Sequence, residues 1–239
     1  MHAPVRTLAV ALTLISVGAA AAQAQLIDLR TTTGGFTAST IGTPAGVEPN
    51  NPWSWTSGEG WRVNGRTNTA RQRLLSGQLR AAGGSFQITA IHRFNFESFL
   101  GGSPPVCYDG GQVLGSINGG AFGVLAPTGG VTYTAALSNA FGNPLSGAAF
   151  CGASAGYDAR PPQFISSVWA GSLTAGTTLS LALDGGWDMM LAEANPNWQL
   201  VSVNLEGFGP TTVIPEPSTV LLLLVGLTML LVTSRRRRV

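Results

Sequence analysis

Nucleophilic hydrolysis needs a base beside its nucleophile, most often a histidine. The chain has two histidines in 239 residues, His2 and His92. His92 falls on the apolar side of an alternating stretch, with Phe86, Ile88, Ala90, Phe94 and Phe96, so its expected role is that of a satisfied core histidine. A zinc hydrolase needs clustered histidine ligands, which this composition does not supply. Glycoside hydrolysis needs two carboxylates flanking the scissile bond. Ten acidic residues between Gln25 and Ile214 permit such a pair, and no local motif selects one. Calcium is the better match, because it takes clustered carboxylate and carbonyl oxygens. Glu97, Asp109, Asp184 and Asp188 sit at expected strand ends, either as calcium ligands or as turn-forming carboxylates bonded to their own backbone. The expectation is a protein that is not an enzyme, with structural calcium as its candidate cofactor.

Two further side-chain types invite chemistry. Trp53 and Trp55 alternate as a strand would, so they share one face. They either cap the edge of a core or offer a ring pair on which a sugar can stack. Cys107 and Cys151 are the two cysteines. Two thiols and one histidine cannot complete a zinc site, so the choice lies between a disulfide and two buried free thiols. Export to an oxidising compartment favours the disulfide.

Charge patterning separates the ends from the middle. Of thirteen Arg, Arg6 is N-terminal and four are Arg235 to Arg238, which leaves eight; of eleven acidic residues, ten lie between Gln25 and Ile214. The middle is therefore slightly acidic, about −2 from those counts, and offers no cationic stripe for nucleic acid. Arg62, Arg66, Arg71, Arg73 and Arg80 form a local run that reads as a solvated face with loops. At the N-terminus, Arg6 precedes an apolar run and Ala22-Gln23-Ala24 fits a small-x-small cleavage site. Residues 1–24 are expected to be a signal peptide, with an uncleaved membrane helix as the other reading.

The elements that must position these groups read as strands. Residues 85–97 alternate with period two over a dozen residues, which no helix produces. Shorter strands are expected at 112–117, 131–137, 148–151, 164–170, 177–184 and 199–206, separated by Gly- and Asn-rich turns. No stretch before Pro215 carries a long amphipathic helix. The expected fold is all-β, a jelly-roll-like antiparallel β-sandwich over residues 25–210.

The succession Gly83-Gly-Ser-Phe, His92-Arg-Phe-Asn-Phe-Glu97, Tyr108-Asp-Gly-Gly-Gln-Val-Leu114, Ser116-Ile-Asn-Gly-Gly-Ala-Phe122 and Phe141-Gly-Asn-Pro-Leu-Ser-Gly147, with Trp198 before the final strand, resembles bacterial extracellular jelly-roll modules. These are similar to galactose-binding-like and MAM-like domains, and similar jelly rolls often hold structural calcium at loops. The chain departs from them at Asp184-Gly-Gly-Trp-Asp188 and the residues after it, ahead of the last strand.

The C-terminal stretch has three parts. Residues 211–217 are a linker carrying Pro215, Glu216 and Pro217, residues 218–234 are an apolar run, and residues 235–239 are a basic tail. Pro217 biases Glu216 toward an extended conformation. The apolar run is near the length of a membrane helix, and the arginines after it place that end on the cytoplasmic side. The tripartite tail resembles the PEP-CTERM sorting signal of Gram-negative bacteria. That resemblance implies processing by an exosortase at the membrane, and a destination at the cell surface or in an extracellular polysaccharide matrix. The alternatives are a single-pass membrane protein that retains its tail and a glycan hydrolase with carboxylates scattered in sequence.

Overall fold

The computed structural model describes residues 24–42, 53–65, 68–102, 105–188 and 196–209. The leader up to residue 23, Arg66, the sorting motif Pro215, Glu216 and Pro217, the apolar run 218–234 and the basic tail lie outside the described residues. The described chain is all-β. Its strands begin with β1 (Gln25–Asp28), β2 (Thr37–Thr40), β3 (Ser54–Thr56), β4 (Gly60–Val63), β5 (Ala70–Leu75), β6 (Leu79–Arg80) and β7 (Gly84–Phe96). Then come β8 (Ser98–Phe99), β9 (Val106–Cys107), β10 (Gly110–Ile117), β11 (Gly123–Val124), β12 (Gly129–Gly130) and β13 (Ala135–Ala136). The last are β14 (Ala148–Ala149), β15 (Gly152–Ala153), β16 (Ile165–Leu173), β17 (Thr178–Trp187) and β18 (Trp198–Glu206). Among the described residues, no helix is long and apolar enough to cross a membrane.

Two antiparallel sheets share one core. The first runs β12-β16-β7-β18-β4-β3, with β1 also on β18 and β15 also on β7. The second runs β11-β10-β17-β5-β2, with β6 also on β17. The centre of the first sheet is β7, where Ile88, Ala90, His92, Phe94 and Phe96 are buried and the odd-numbered residues from Gln87 to Asn95 are half-buried, as its alternation predicts. Facing it, β17 contributes Leu179, Leu181, Leu183 and Trp187. Burying one large apolar side chain stabilises by roughly 2–3 kcal/mol, so the Trp53, Phe94, Phe96, Phe150, Trp187 and Trp198 cluster dominates the core.

The last strand departs from simple alternation. Trp198 and Leu200 are buried, and so are Val203 and Leu205, an odd step apart. A β-bulge at Val201 resets the phase, seen as a register shift against β7 between Leu200 and Ser202. The bulge also divides the far edge of β18, which pairs with β4 at residues 198–200 and with β1 at residues 202–205. Gly60 closes against it. Gly60 has φ +83°, and a Cβ there would collide with the Leu200 carbonyl oxygen.

The outer faces of the sheets differ. Residues 143–148 fold back over the second sheet: Gln112 Nε2 donates to the carbonyls of Ser146 and Ala148, at 2.7 and 2.9 Å, and Asn143 Nδ2 donates to Gly186 O at 3.1 Å. As a result β10 is buried on both faces. Residues 131–137, expected as one strand, form only the short β13, because Tyr133 turns inward to hydrogen-bond the backbone of Val113 and Leu125. Along the outer face of the first sheet, Thr89, Ile91, Arg93, Ser202 and Asn204 are half-buried.

Candidate functional site

Three of the four carboxylates singled out in sequence meet at one end of the sandwich. Antiparallel pairing of Gly110 with Gly186 places Asp109, just before β10, beside Asp188, just after β17. Glu97 follows β7, and its carbonyl accepts the backbone N–H groups of Tyr108 and Asp109, both at 3.1 Å. One carboxylate oxygen each from Glu97, Asp109 and Asp188 lies within 4.8 Å of the others. Asp109 and Asp188 are 1% exposed and Glu97 is half-buried. Asp109 Oδ1 accepts the Asp188 backbone N–H at 2.9 Å, which fixes that carboxylate's orientation. Like charges this close in a poorly solvated place raise one another's cost unless a cation or a proton intervenes. Three carboxylates are a hard-oxygen donor set of the kind calcium takes.

Asp184 is a correction. It is not at a strand end but in the middle of β17, which runs on to Trp187. Its carboxylate is fully buried and clamped by two arginines from β5. Arg71 Nε donates to Oδ2 at 2.7 Å, and Arg73 donates through Nε and Nη2 to both oxygens at 2.8 Å. The Arg73 guanidinium also lies 4.4 Å from the centre of the Phe122 ring. The arginine run is therefore corrected too. Arg71 and Arg73 sit on a central strand facing a buried acid, because the register places Asp184 opposite Arg73.

Trp53 and Trp55 do share a face, but it is the inner one. Trp53 is 2% exposed, its ring centre lies 5.3 Å from that of Trp198, and its Nε1 donates to Gln72 O at 3.4 Å. Trp55 is half-buried and donates to Leu29 O at 2.7 Å. Edge strand β3 uses both to cap the core. Trp53 therefore presents no ring to a sugar, and the pair is not a stacking platform.

Cys107 and Cys151 are joined in a disulfide, with their Cα atoms 5.7 Å apart. It ties β9 to the segment ahead of β15, two residues before Asp109.

His92 is 1% exposed, and its surroundings fix its tautomer. An indole N–H can only donate. Trp198 Nε1 lies 3.1 Å from His92 Nδ1, so Nδ1 accepts and the ring proton sits on Nε2. Nε2 then donates to Ser167 Oγ at 3.0 Å, and the Ser167 hydroxyl in turn donates a hydrogen bond to Val131 O. A serine and a histidine thus lie within hydrogen-bond reach, with the polarity opposite to that of a nucleophile and its base. Burial pushes the imidazole down to about 3, so the ring is neutral.

Sequence reasoning passes over one pattern, the Gly-x-Ser-x-Gly match Gly152-Ala153-Ser154-Ala155-Gly156. It does not form a strand-to-helix elbow. Ser154 is buried, its Oγ accepts the Phe94 N–H at 3.1 Å, and its N–H donates to Phe94 O at 2.8 Å, which extends the edge of β7.

Among the described residues, two of the cavities open at the surface. One, of about 690 Å³, lies between the sheets, with Phe36, Leu79, Leu181, Val203 and Leu205 among its apolar lining and Asp28 as its one carboxylate. The other, of about 650 Å³, is lined around Phe86, Gly171 and Glu206. Neither contains the acidic triad, and neither holds a carboxylate pair.

Residues 213–238 match the PEP-CTERM protein-sorting motif, which marks an exported protein processed by an exosortase. No curated protein matches the chain.

Proposed function

We propose that this is a non-catalytic exported protein of a Gram-negative bacterium. Its leader directs export, the apolar run 218–234 holds it in the membrane, and an exosortase acts at Pro215-Glu216-Pro217. The product is a surface or matrix protein whose sandwich, read as a galactose-binding-like jelly roll, contacts extracellular polysaccharide or serves as a structural unit. The observation that carries this reading is the sorting motif at residues 213–238. His92 is unsuited to act as a base, since it is buried and its Nδ1 already accepts the Trp198 N–H. Mass spectrometry of surface material from an exosortase-positive strain should find a C-terminus that lacks Arg238. Intact Arg238 in that material would leave a single-pass membrane protein with a retained tail.

Within this reading, Glu97, Asp109 and Asp188 hold a structural calcium ion that braces the loops beside the disulfide. A ligand at a hundred times its Kd stabilises a fold by about 2.7 kcal/mol. For a domain of this size that is a rise of roughly 5–10 °C in melting temperature. Calcium should produce that rise in the chelator-treated protein, and Asp109→Asn should abolish it. A melting temperature indifferent to both calcium and chelator would remove the ion from the proposal.

A further inference from the structure

The outer face of the first sheet carries a fixed cation without an acid. Arg93 on β7 stands opposite Gln199 on β18, and Gln199 stands opposite Arg62 on β4. Phe164, just before β16, flanks Arg93 on the other side. Phe164, Arg93, Gln199 and Arg62 thus form one lateral row. Neighbouring strands lie about 4.8 Å apart, so the two arginines are rooted roughly 10 Å from each other.

The Arg93 guanidinium is held in place from several directions. Its Cζ lies 5.1 Å from the ring centre of Tyr157 and 5.6 Å from that of Phe164. Its Nε donates to Gln199 Oε1 at 2.8 Å, and its Nη1 makes a longer bond to Tyr157 O at 3.4 Å. Gln199 is itself oriented, since its Nε2 donates to Glu59 O at 2.7 Å. Tyr157 is pinned in turn by its hydroxyl, which donates to Pro196 O at 2.6 Å.

Every ion pair among the described residues uses other arginines: Arg30 with Asp28, Arg62 with Glu59, and Arg71 and Arg73 with Asp184. Among the described residues Arg93 has no carboxylate partner, and its Nη2 no acceptor. A guanidinium carries five N–H donors in a planar fork. One set in place by rings and amides, with donors left over, is preorganised for a planar anion. The nearby charges do not cancel it. Glu59 is taken by Arg62, and Asp158, next to Tyr157, makes no ion pair with Arg93.

We infer that Arg93 is the recognition point for a carboxylate on an acidic polysaccharide laid across the outer face of the first sheet. The carboxylate pairs with the spare N–H groups of Arg93, and Thr89, Ser202 and Asn204, half-buried on the same face, supply hydrogen bonds to hydroxyls. This rests on the polysaccharide-contact reading above and names the class of polymer. A carboxylate is favoured over a neutral sugar because the face offers a charge and no free aromatic platform. Arg62, already neutralised by Glu59, contributes less.

The test uses full-length protein in detergent with two probes, polygalacturonate and the same polymer with its carboxyls methyl-esterified. Binding to polygalacturonate is expected to fall about tenfold in Arg93→Met, which keeps the apolar stem between the rings, and to be recovered only in part in Arg93→Lys, which restores the charge but not the planar fork. The ester should bind the wild type about as weakly as Arg93→Met binds the acid form. Melting temperature, measured alongside, separates loss of binding from loss of fold. Equal binding of the acid and ester forms, or an unaffected, folded Arg93→Met, would overturn the inference and leave polysaccharide contact standing. No binding to either polymer or to a neutral glucan would remove both.

Discussion

Reducing the Cys107–Cys151 disulfide should lower the melting temperature of the β domain by about 10 °C. The bond closes a loop of 44 residues. In the chain-entropy treatment, cross-links over loops of this size remove about 4 kcal/mol of conformational freedom from the unfolded chain. Domains of this size shift by roughly 2–4 °C per kcal/mol. The location adds to the effect. Both sulfurs are buried among the core residues, and the bond anchors the turn that carries Asp109. Thermal melts with and without reductant, beside a Cys107→Ala/Cys151→Ala variant, measure it. Reduction should also increase the mass by about 2 Da, as expected for one bond gaining two hydrogens. A melt unchanged by reductant and by the double substitution would show that the closed loop constrains nothing.

Acid should destabilise the domain through His92. In the unfolded chain the imidazole takes up a proton below its ordinary pKa of 6.5, whereas the folded site resists until about 3. The unfolded state therefore binds the extra proton between these limits. Stability is complete above pH 6.5 and is lost as pH falls from 6.5 toward 3. Each pH unit costs about 1.4 kcal/mol, so on the order of 3 kcal/mol is gone by pH 4.5. The physical cause is burial, reinforced by Trp198, whose N–H already occupies Nδ1 and leaves no lone pair for a second proton. His92→Phe should be less stable at pH 7, because it leaves the Trp198 indole and the Ser167 hydroxyl without their partner. Its stability should nevertheless fall less between pH 7 and 5. Denaturant titrations at each pH give the slopes, and parallel slopes for the two proteins would rule His92 out as the acid-sensitive group.

Several features of the site were legible residue by residue. The alternation around His92 predicted both the strand and the inward direction of the ring. Glu97, Asp109 and Asp188 could be named as loop carboxylates, but that they converge depends on the Gly110–Gly186 register. Asp184 looked the same in sequence. Its role changed because β17 continues three residues further, past two glycines that read as a turn. The same bias affected Gly110 and Gly111, which lay outside the strand expected at 112–117. These glycines lie inside β10, where close neighbours need the space; a Cβ on Gly111, for example, would come within 2.7 Å of the Trp198 ring. Glycine marks a turn and a tight interior contact with the same letter.

Sequence alone determined the address of this protein and the class of its domain. Both are encoded locally, in a motif with its flanking residues and in a period-two pattern that needs no knowledge of its neighbours. Tertiary structure alone decided which charges are satisfied. Pairing across the sheets gave Asp184 two arginines, gathered three carboxylates at one end, turned Trp53 into the core and left Arg93 without an acid. Those outcomes depend on register between strands as much as 113 residues apart, as for Arg71 and Asp184. Register is set by core packing and by the bulge at Val201, and no local stretch of sequence contains it.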